Sequence, residues 1–187
     1  MKKYLETFNM LTKDEIDFFE KKVVRKKLKK GEFFIKEGQT CKEVGFVVSG
    51  LFRSFYHSSK EEEVTYCFTF SNSFVSAYSS FLSQNKTVEN IQALTDTEIL
   101  TISKDQLLKL EQSSTNWLTF LKMMAEQEYI KLEKRIFMLQ RESAEKRYLD
   151  LLTNQPEYLQ FIPLHFLSSY LGITQRHLSR IRKSISN

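Results

Sequence analysis

The chain has 187 residues, 41% of them hydrophobic and 16 of them Phe, which is enough to fill a real core and excludes intrinsic disorder as the default expectation. Its net charge of +5 is unevenly distributed, because no acidic residue follows Glu157 whereas four Arg or Lys residues do. No secretory signal and no apolar run of about 18 residues is present, which predicts a soluble cytoplasmic protein without membrane contact. Cys41 and Cys67 are too few for a cysteine-ligated cluster or zinc knuckle, and we expect both to be buried free thiols.

The first half of the chain predicts one short helix followed by strands. Thr12 and Glu15 match a capping box, and Ile16 and Phe19 continue one apolar face, which predicts a helix over 13–21. Short runs of β-branched and aromatic residues follow, at 23–24, 33–35, 46–48, 51–56, 64–70 and 99–102. Four of the five glycines fall within residues 31–50. Short strands joined by tight turns predict a β-roll or barrel.

Helical patterning returns after a serine-rich interruption. Residues 71–90 predict a loop carrying a short helix, and helices are predicted over 104–110 and 114–140. The second of these helices carries an apolar stripe formed by Leu118, Leu121, Ala125, Tyr129, Leu132, Ile136 and Leu139. A helix of that length spans about 40 Å, more than a small domain needs for its own core, so we expect it to pair with a second chain. Burial of the helix against its own barrel remains the alternative.

The C-terminal region predicts a helix-turn-helix over 163–186. Residues 141–145 predict a hinge, residues 146–153 a helix, and Pro156 the end of the connection. Gly172 falls where the tight turn needs a residue that tolerates positive φ, and Thr174 can cap the second helix. The apolar contacts between the two helices are assigned to Leu164, Leu167, Leu171, Ile173, Leu178 and Ile181.

The outer face of the second helix suits the DNA major groove. The residues assigned to base contacts are Gln175, Arg176, Ser179 and Arg180. The residues assigned to phosphate contacts are Thr174, His177, Arg182 and Lys183. Arg180 lies mid-helix and is the best candidate for bidentate hydrogen bonding to guanine. The alternative is a purely structural helical pair in a ligand-binding or protein-interaction module.

Enzymatic interpretations find little support in the sequence. A cupin-type metal site needs several His and carboxylate ligands, and the barrel region holds only His57, which we expect to be a solvated or hydrogen-bonded strand residue. The run Glu61-Glu62-Glu63 follows a turn and predicts a solvated hairpin tip. No nucleophile motif or phosphate-binding glycine loop is present, so no catalytic residue, metal ligand or cofactor is assigned.

Three segments carry a family resemblance: Leu28 to Gly38 (LKKGEFFIKEG), Phe46 to Gly50 (FVVSG) and Tyr170 to Lys183 (YLGITQRHLSRIRK). With the order of the predicted elements, they make the chain resemble the Crp/Fnr family of bacterial transcription regulators along essentially its full length. The first segment resembles the opening of the family's cyclic-nucleotide-binding-type β-roll and the second its next turn. The long helix resembles its dimerisation helix, and the third segment resembles its recognition element. The residues that match Gln175, Arg176 and Arg180 face the bases in that family.

The resemblance implies an α+β fold with a jelly-roll-like sensor at 1–112, a dimerisation helix at 113–141 and a helix-turn-helix domain at 142–187. Because the sequence stops at Asn187, directly after the recognition helix, a short or absent β-wing is expected. The implied function is a homodimeric regulator that binds an inverted repeat in double-stranded DNA. RNA polymerase is a candidate further partner, and the effector is unidentified.

Departures from the family pattern concern the effector. Members that bind cyclic AMP carry a Gly-Glu-Leu segment and a later Arg followed by a small residue, and these hold the ribose and the cyclic phosphate. Residues 73–76 here read Ser-Phe-Val-Ser, and Thr87 and Val88 replace the Arg and the small residue, with Lys86 the only cation nearby. A buried phosphate would lack its countercharge, so cyclic-nucleotide binding is not expected, although a cyclic-nucleotide-responsive regulator remains the alternative.

A pocket for an apolar or neutral ligand is assigned to Phe74, Tyr78, Phe81, Lys86, Thr87 and Val88. The cysteines that the oxygen-sensing branch of the family needs are missing. A haem-sensing role would depend on His57 or a single cysteine and is not expected.

Overall fold

The computed structural model describes residues 1–186 and shows a mixed α+β protein, as the sequence predicts. It divides into two compact units: residues 1–57 with 67–125, and residues 58–66 with those from 126 onward. The predicted division at 112 and 141 stays a prediction. Asn187, on which the expectation of a missing wing depends, lies outside the described residues.

Two four-stranded sheets form the β-roll. The strands are β1 (Val24–Leu28), β2 (Phe33–Ile35), β3 (Glu43–Ser49), β4 (Leu51–His57), β5 (Glu63–Phe70), β6 (Phe74–Val75), β7 (Glu89–Ala93) and β8 (Thr97–Ser103). One sheet has the order β1-β8-β3-β6 and the other β2-β7-β4-β5. The pairings of β1 and β3 with β8, and of β2 and β4 with β7, are antiparallel, as hairpin-rich rolls require.

Helices pack against the roll in the first unit. These are α1 (Lys2–Glu6), α2 (Lys13–Glu20), α3 (Tyr78–Ser83), α4 (Lys104–Ser113) and the start of α5 (Thr115–Arg141). One core cluster lies among the strands, with Val47, Phe52 and Ile91 fully buried. A second cluster joins α1 and α2 to α4 and α5 through Trp117 and Phe120. Phe120 therefore packs within its own unit.

The predicted capping box and strand runs are confirmed, with three omissions. Thr12 accepts the backbone N–H of Glu15 while the Glu15 carboxylate accepts that of Thr12, and α2 ends one residue before its predicted end. The sequence did not reveal α1, β6 or β7. The first two have only five and two residues. The third reads ENIQA, which is too polar to resemble a buried strand.

Helices make up most of the second unit. They are the later part of α5, then α6 (Ala144–Asn154), α7 (Pro156–Phe161), α8 (Leu164–Tyr170) and α9 (Gln175–Ser186). The connection after α6 ends at Pro156, which opens α7 at the first helical position, where its missing N–H costs no hydrogen bond. Arg147 donates to the carbonyl oxygens of Leu139 and Glu142 and so caps the end of α5 at the predicted hinge.

Candidate nucleic-acid interface

A tight turn joins α8 to α9, and one glycine makes it possible. Gly172 has a φ of +68°, which an L-residue adopts only with strain. The Thr174 side chain accepts the backbone N–H of His177 at 3.2 Å, which confirms that Thr174 caps α9. Its hydroxyl retains a proton to donate, so its assignment to a phosphate stays a prediction.

Buried apolar side chains fix the two helices against each other. Leu167, Leu171, Leu178 and Ile181 are buried, as expected from their spacing. Leu164 and Ile173 are half-buried. The result is a helix-turn-helix geometry in which α9 keeps one narrow buried stripe and leaves the rest of its surface outside.

The exposed face of α9 contains every predicted base-contact residue. Gln175, Arg176, Ser179 and Arg180 are exposed. Within residues 1–186, the side chains of Gln175, Arg176 and Arg180 form no hydrogen bond and no ion pair. The predicted phosphate contacts Thr174, His177, Arg182 and Lys183 are exposed as well. An arginine whose donors are unengaged can present its planar fork to guanine or phosphate without first breaking an internal bond.

The apolar stripe predicted on α5 lies largely in solvent. Leu118, Tyr129, Leu132, Ile136 and Leu139 are 40–65% exposed. Leu121 and Ala125 are half-buried. A single helix that exposes large apolar side chains at three- and four-residue steps has the surface of an interhelical seam.

The aromatic residues of the predicted effector pocket pack against the protein's own core. The Phe74 ring lies 5.3 Å from that of Phe46, centroid to centroid. Tyr78 stacks on the buried Phe81 at 6.1 Å and an interplanar angle of 14°. Burial, and secondarily the charge of Glu111, raises the pKa of the Tyr78 hydroxyl.

The other three predicted pocket residues are not brought together. Thr87 is buried, and its backbone pairs with Gly38 and Gln39. Lys86 is exposed, and Val88 is 74% exposed. The assignment of these residues to an effector pocket therefore stays a prediction, with Phe81 and Thr87 buried while Val88 lies at the surface.

Polar side chains around α3 bond to the chain itself. Ser80 is buried, accepts the backbone N–H of Cys41 at 2.9 Å and donates to the Asn85 carbonyl. The Gln84 amide donates to the carbonyl oxygens of Cys41 and Phe81. Lys104 donates to the last carbonyls of α3, at 2.8 and 2.7 Å, where a cation also complements the helix dipole. The sequence did not reveal these residues, because each has at least one backbone partner more than twenty positions away.

Glu89 is a second feature that the sequence did not reveal. It lies on the same face of β7 as Ile91 and Ala93, which are buried in the roll core, and opposite Tyr56 of β4. Burial raises the pKa of its carboxyl to about 7. Burial therefore favours the neutral form of this carboxyl, which lies two residues after Thr87.

The remaining candidate groups have structural partners. His57 Nδ1 lies 3.1 Å from a Glu37 carboxylate oxygen, so it is a hydrogen-bonded strand residue, as expected. Cys41 is a buried free thiol, whereas Cys67 is only half-buried. A positive φ at Glu61 closes the hairpin between β4 and β5. In the described part of the chain, no three metal-binding side chains cluster and no helix is long and apolar enough to span a bilayer.

The chain is similar to known proteins in sequence over its β-roll and in structure over most of its length. Residues 25–114 match the family model of the cyclic nucleotide-binding domain. FixK2 of Bradyrhizobium japonicum has a TM-score of 0.76 and 19% identity, over 88% of this chain and 84% of its own. A regulator assigned to the Crp/Fnr family from Eubacterium rectale has a TM-score of 0.74 and 16% identity, over 98% and 88%.

The chain has the Crp/Fnr fold. CLP of Xanthomonas campestris, described as a c-di-GMP responsive global regulator, shares this fold with a TM-score of 0.74 and 17% identity, over 94% of this chain and 92% of its own. No curated protein matches the sequence. The fold that the motif resemblance implies is confirmed, and the cyclic nucleotide-binding domain model matches where the β-roll was predicted.

Proposed function

We propose that this Crp/Fnr-fold protein is a homodimeric, sequence-specific DNA-binding transcription regulator. The observation that carries the proposal is the outer face of α9, where Gln175, Arg176 and Arg180 are exposed and without internal partners. No acidic residue follows Glu157, so no carboxylate later in the sequence offsets the positive charge that this face presents to DNA. Gln175, Arg176, Ser179 and Arg180 contact bases, while Thr174, His177, Arg182 and Lys183 contact phosphates.

Dimerisation supplies the second half of the interface. The exposed stripe on α5 buries itself against the same stripe of a second copy, as a two-fold axis requires. Two copies of α9 then enter successive major grooves about 34 Å apart and read an inverted repeat. RNA polymerase is a candidate partner of the DNA-bound dimer.

The effector site is atypical in this proposal. Thr87 replaces the phosphate-binding Arg, so a buried cyclic phosphate would lack its countercharge. The protein therefore responds to an apolar or neutral ligand, or to none. A cyclic-nucleotide-responsive regulator is the second candidate, because residues 25–114 match the domain family that is named for such binding. Titration calorimetry with cyclic AMP and cyclic GMP distinguishes the two candidates. We expect no binding heat, whereas heat of binding would favour the second candidate.

Selection on random DNA duplexes tests the main proposal. We expect enrichment of one inverted repeat with half-sites a helical turn apart. A structural helix-turn-helix in a ligand-binding or interaction module would enrich no motif, and that result would overturn the proposal. The Lys183→Ala variant is a matched control, since loss of a phosphate contact should weaken binding without changing the selected sequence.

A further inference from the structure

The end of α8 is attached to the hairpin formed by residues 58–66. The Ser169 hydroxyl accepts the backbone N–H of Thr65 at 2.9 Å and donates to the Glu63 carbonyl oxygen at 3.2 Å. These backbone groups are two residues apart at the start of β5, an edge strand of its sheet. One hydroxyl therefore serves a donor and an acceptor along the same strand edge, a geometry that fixes its position in two directions.

Tyr170, the residue after Ser169, is bonded to Arg135 of α5. The Arg135 guanidinium lies over the Tyr170 ring, 3.7 Å from its centroid, and also donates to the Tyr170 carbonyl oxygen. Tyr170 is buried and packs on Tyr158 with the ring centroids 5.5 Å apart. A planar guanidinium that both stacks and donates in this way is held more rigidly than a flexible ammonium would be.

A third neighbour lies beside the turn itself. Leu139, one turn after Arg135 on α5, has a methyl group 3.6 Å from the position that a Cβ would occupy on Gly172, so α5 lines the space next to the turn. Residues 169 and 170 are thus each bonded from outside the helix pair, and α9 begins five residues after the second of them. The recognition helix therefore begins close to two attachment points.

From these contacts we infer that Ser169 and Arg135 are positioning residues, which set the direction in which α9 leaves the turn and thereby the half-site spacing that a dimer accepts. This inference depends on the proposed function. Neither residue contacts a base in it. A two-fold pair of recognition helices fits one spacing only if each helix is held at a fixed angle to the seam helix. Removing an attachment point should widen the range of spacings that the dimer tolerates.

A purely stabilising role makes a different prediction. If these contacts only raised the free energy of unfolding, their loss would lower the folded fraction and weaken binding to every duplex by the same factor. Loss of positioning instead changes the ratio between spacings, and it leaves binding to an isolated half-site unchanged because the base contacts remain. The spacing ratio is therefore the decisive quantity, since it does not depend on the active concentration.

The test uses the full chain and the repeat selected by the wild type. The duplexes carry the native spacing, one or two base pairs inserted, one or two deleted, or a single half-site. The variants are Arg135→Gln and Ser169→Ala, with Arg135→Lys and Ser169→Thr as conservative partners. The matched control is Lys134→Gln, which removes an exposed charge from the neighbouring position on α5. Circular dichroism and sedimentation velocity monitor folding and dimerisation in each protein.

We expect Arg135→Gln and Ser169→Ala to reduce the preference for native spacing by about 2- to 30-fold, the usual range for coupling through packed contacts. Half-site affinity should stay unchanged, as should all values for Lys134→Gln. Ser169→Thr should restore the preference, whereas Arg135→Lys should restore it only in part. An unchanged spacing ratio, with or without a uniform loss of affinity, would overturn the inference and leave the proposed function intact. If the wild type enriches no repeat, the proposed function fails as well.

Discussion

The segment around α3 and the segment of α8 and α9 use their polar side chains in opposite ways. Ser80, Gln84 and Lys104 are engaged with backbone atoms of their own unit. Gln175 and Arg180 are exposed and, among the described residues, have no such partners. A polar group already satisfied within the protein must break a bond before it binds a ligand, whereas an exposed one exchanges water only. The side chains of the second segment are therefore available to a ligand, whereas those of the first stabilise their own unit.

The largest effect is expected from separating the two copies of the proposed dimer. The double variant Leu132→Glu, Ile136→Glu places charges in the exposed α5 stripe, so the two copies should no longer associate. We expect a monomer whose affinity for the full repeat falls by about 100-fold or more, because the second half-site is lost. Sedimentation velocity and DNA titration measure the two effects. Gln127→Glu, Lys134→Glu, on the opposite side of the helix, is the control, and an unchanged sedimentation profile of the first variant would refute the dimer.

Arg180→Ala directly tests the exposed residues of the segment formed by α8 and α9. The variant removes donors that have no internal partner, so stability should hardly change while cognate binding weakens by about 1–3 kcal/mol. Discrimination should relax at one base pair of each half-site. Competition titrations on single-substitution duplexes measure this. Lys183→Ala is the matched comparison, since a phosphate contact should weaken cognate and random DNA alike. If Arg180→Ala weakened binding to cognate and random DNA equally, Arg180 would not contact a base.

Sequence patterns were sufficient where contacts are local or periodic. The Thr12 capping box, the apolar stripe of α5 and the Gly172 turn were all readable, because each depends on residues at most a few positions apart. The attachments of Arg135 and Ser169 were not, since they join backbone atoms 35 and 104 positions away. Spacing carries no information about such pairs, because only the folded topology brings them into contact.

Ser80→Ala tests the segment around α3. In contrast to Arg180→Ala, it should lower stability and leave DNA binding unchanged. It deletes the acceptor of the Cys41 backbone N–H in the buried core, which should cost about 2 kcal/mol of unfolding free energy. Binding of the folded fraction to DNA should not change. Urea unfolding gives the first value and titration the second. Ser83→Ala, on the same helix but exposed, should cost much less because water replaces its bonds. Equal losses of unfolding free energy in Ser80→Ala and Ser83→Ala would mean that the buried hydrogen bond stabilises the fold no more than the exposed one.

The smallest effect expected is a pH dependence at Glu89. Its folded pKa of about 7 lies above the ordinary 4.5, so the folded chain binds this proton more tightly than the unfolded one. The free energy of unfolding should therefore fall as pH rises from about 4.5 to about 7, and stay lower above that.

A rise in the pKa from 4.5 to about 7 corresponds to a change of about 3 kcal/mol in the free energy of unfolding. Because solvent reaches part of the carboxyl, we expect a change of about 1 kcal/mol. Glu89→Gln keeps the neutral form at every pH. It should match the wild type near pH 4.5 and exceed its stability by that amount at pH 8 in urea unfolding. Glu62→Gln, at the exposed hairpin tip, is the control. If Glu89→Gln and the wild type differ equally at both pH values, the carboxyl is not held neutral by burial.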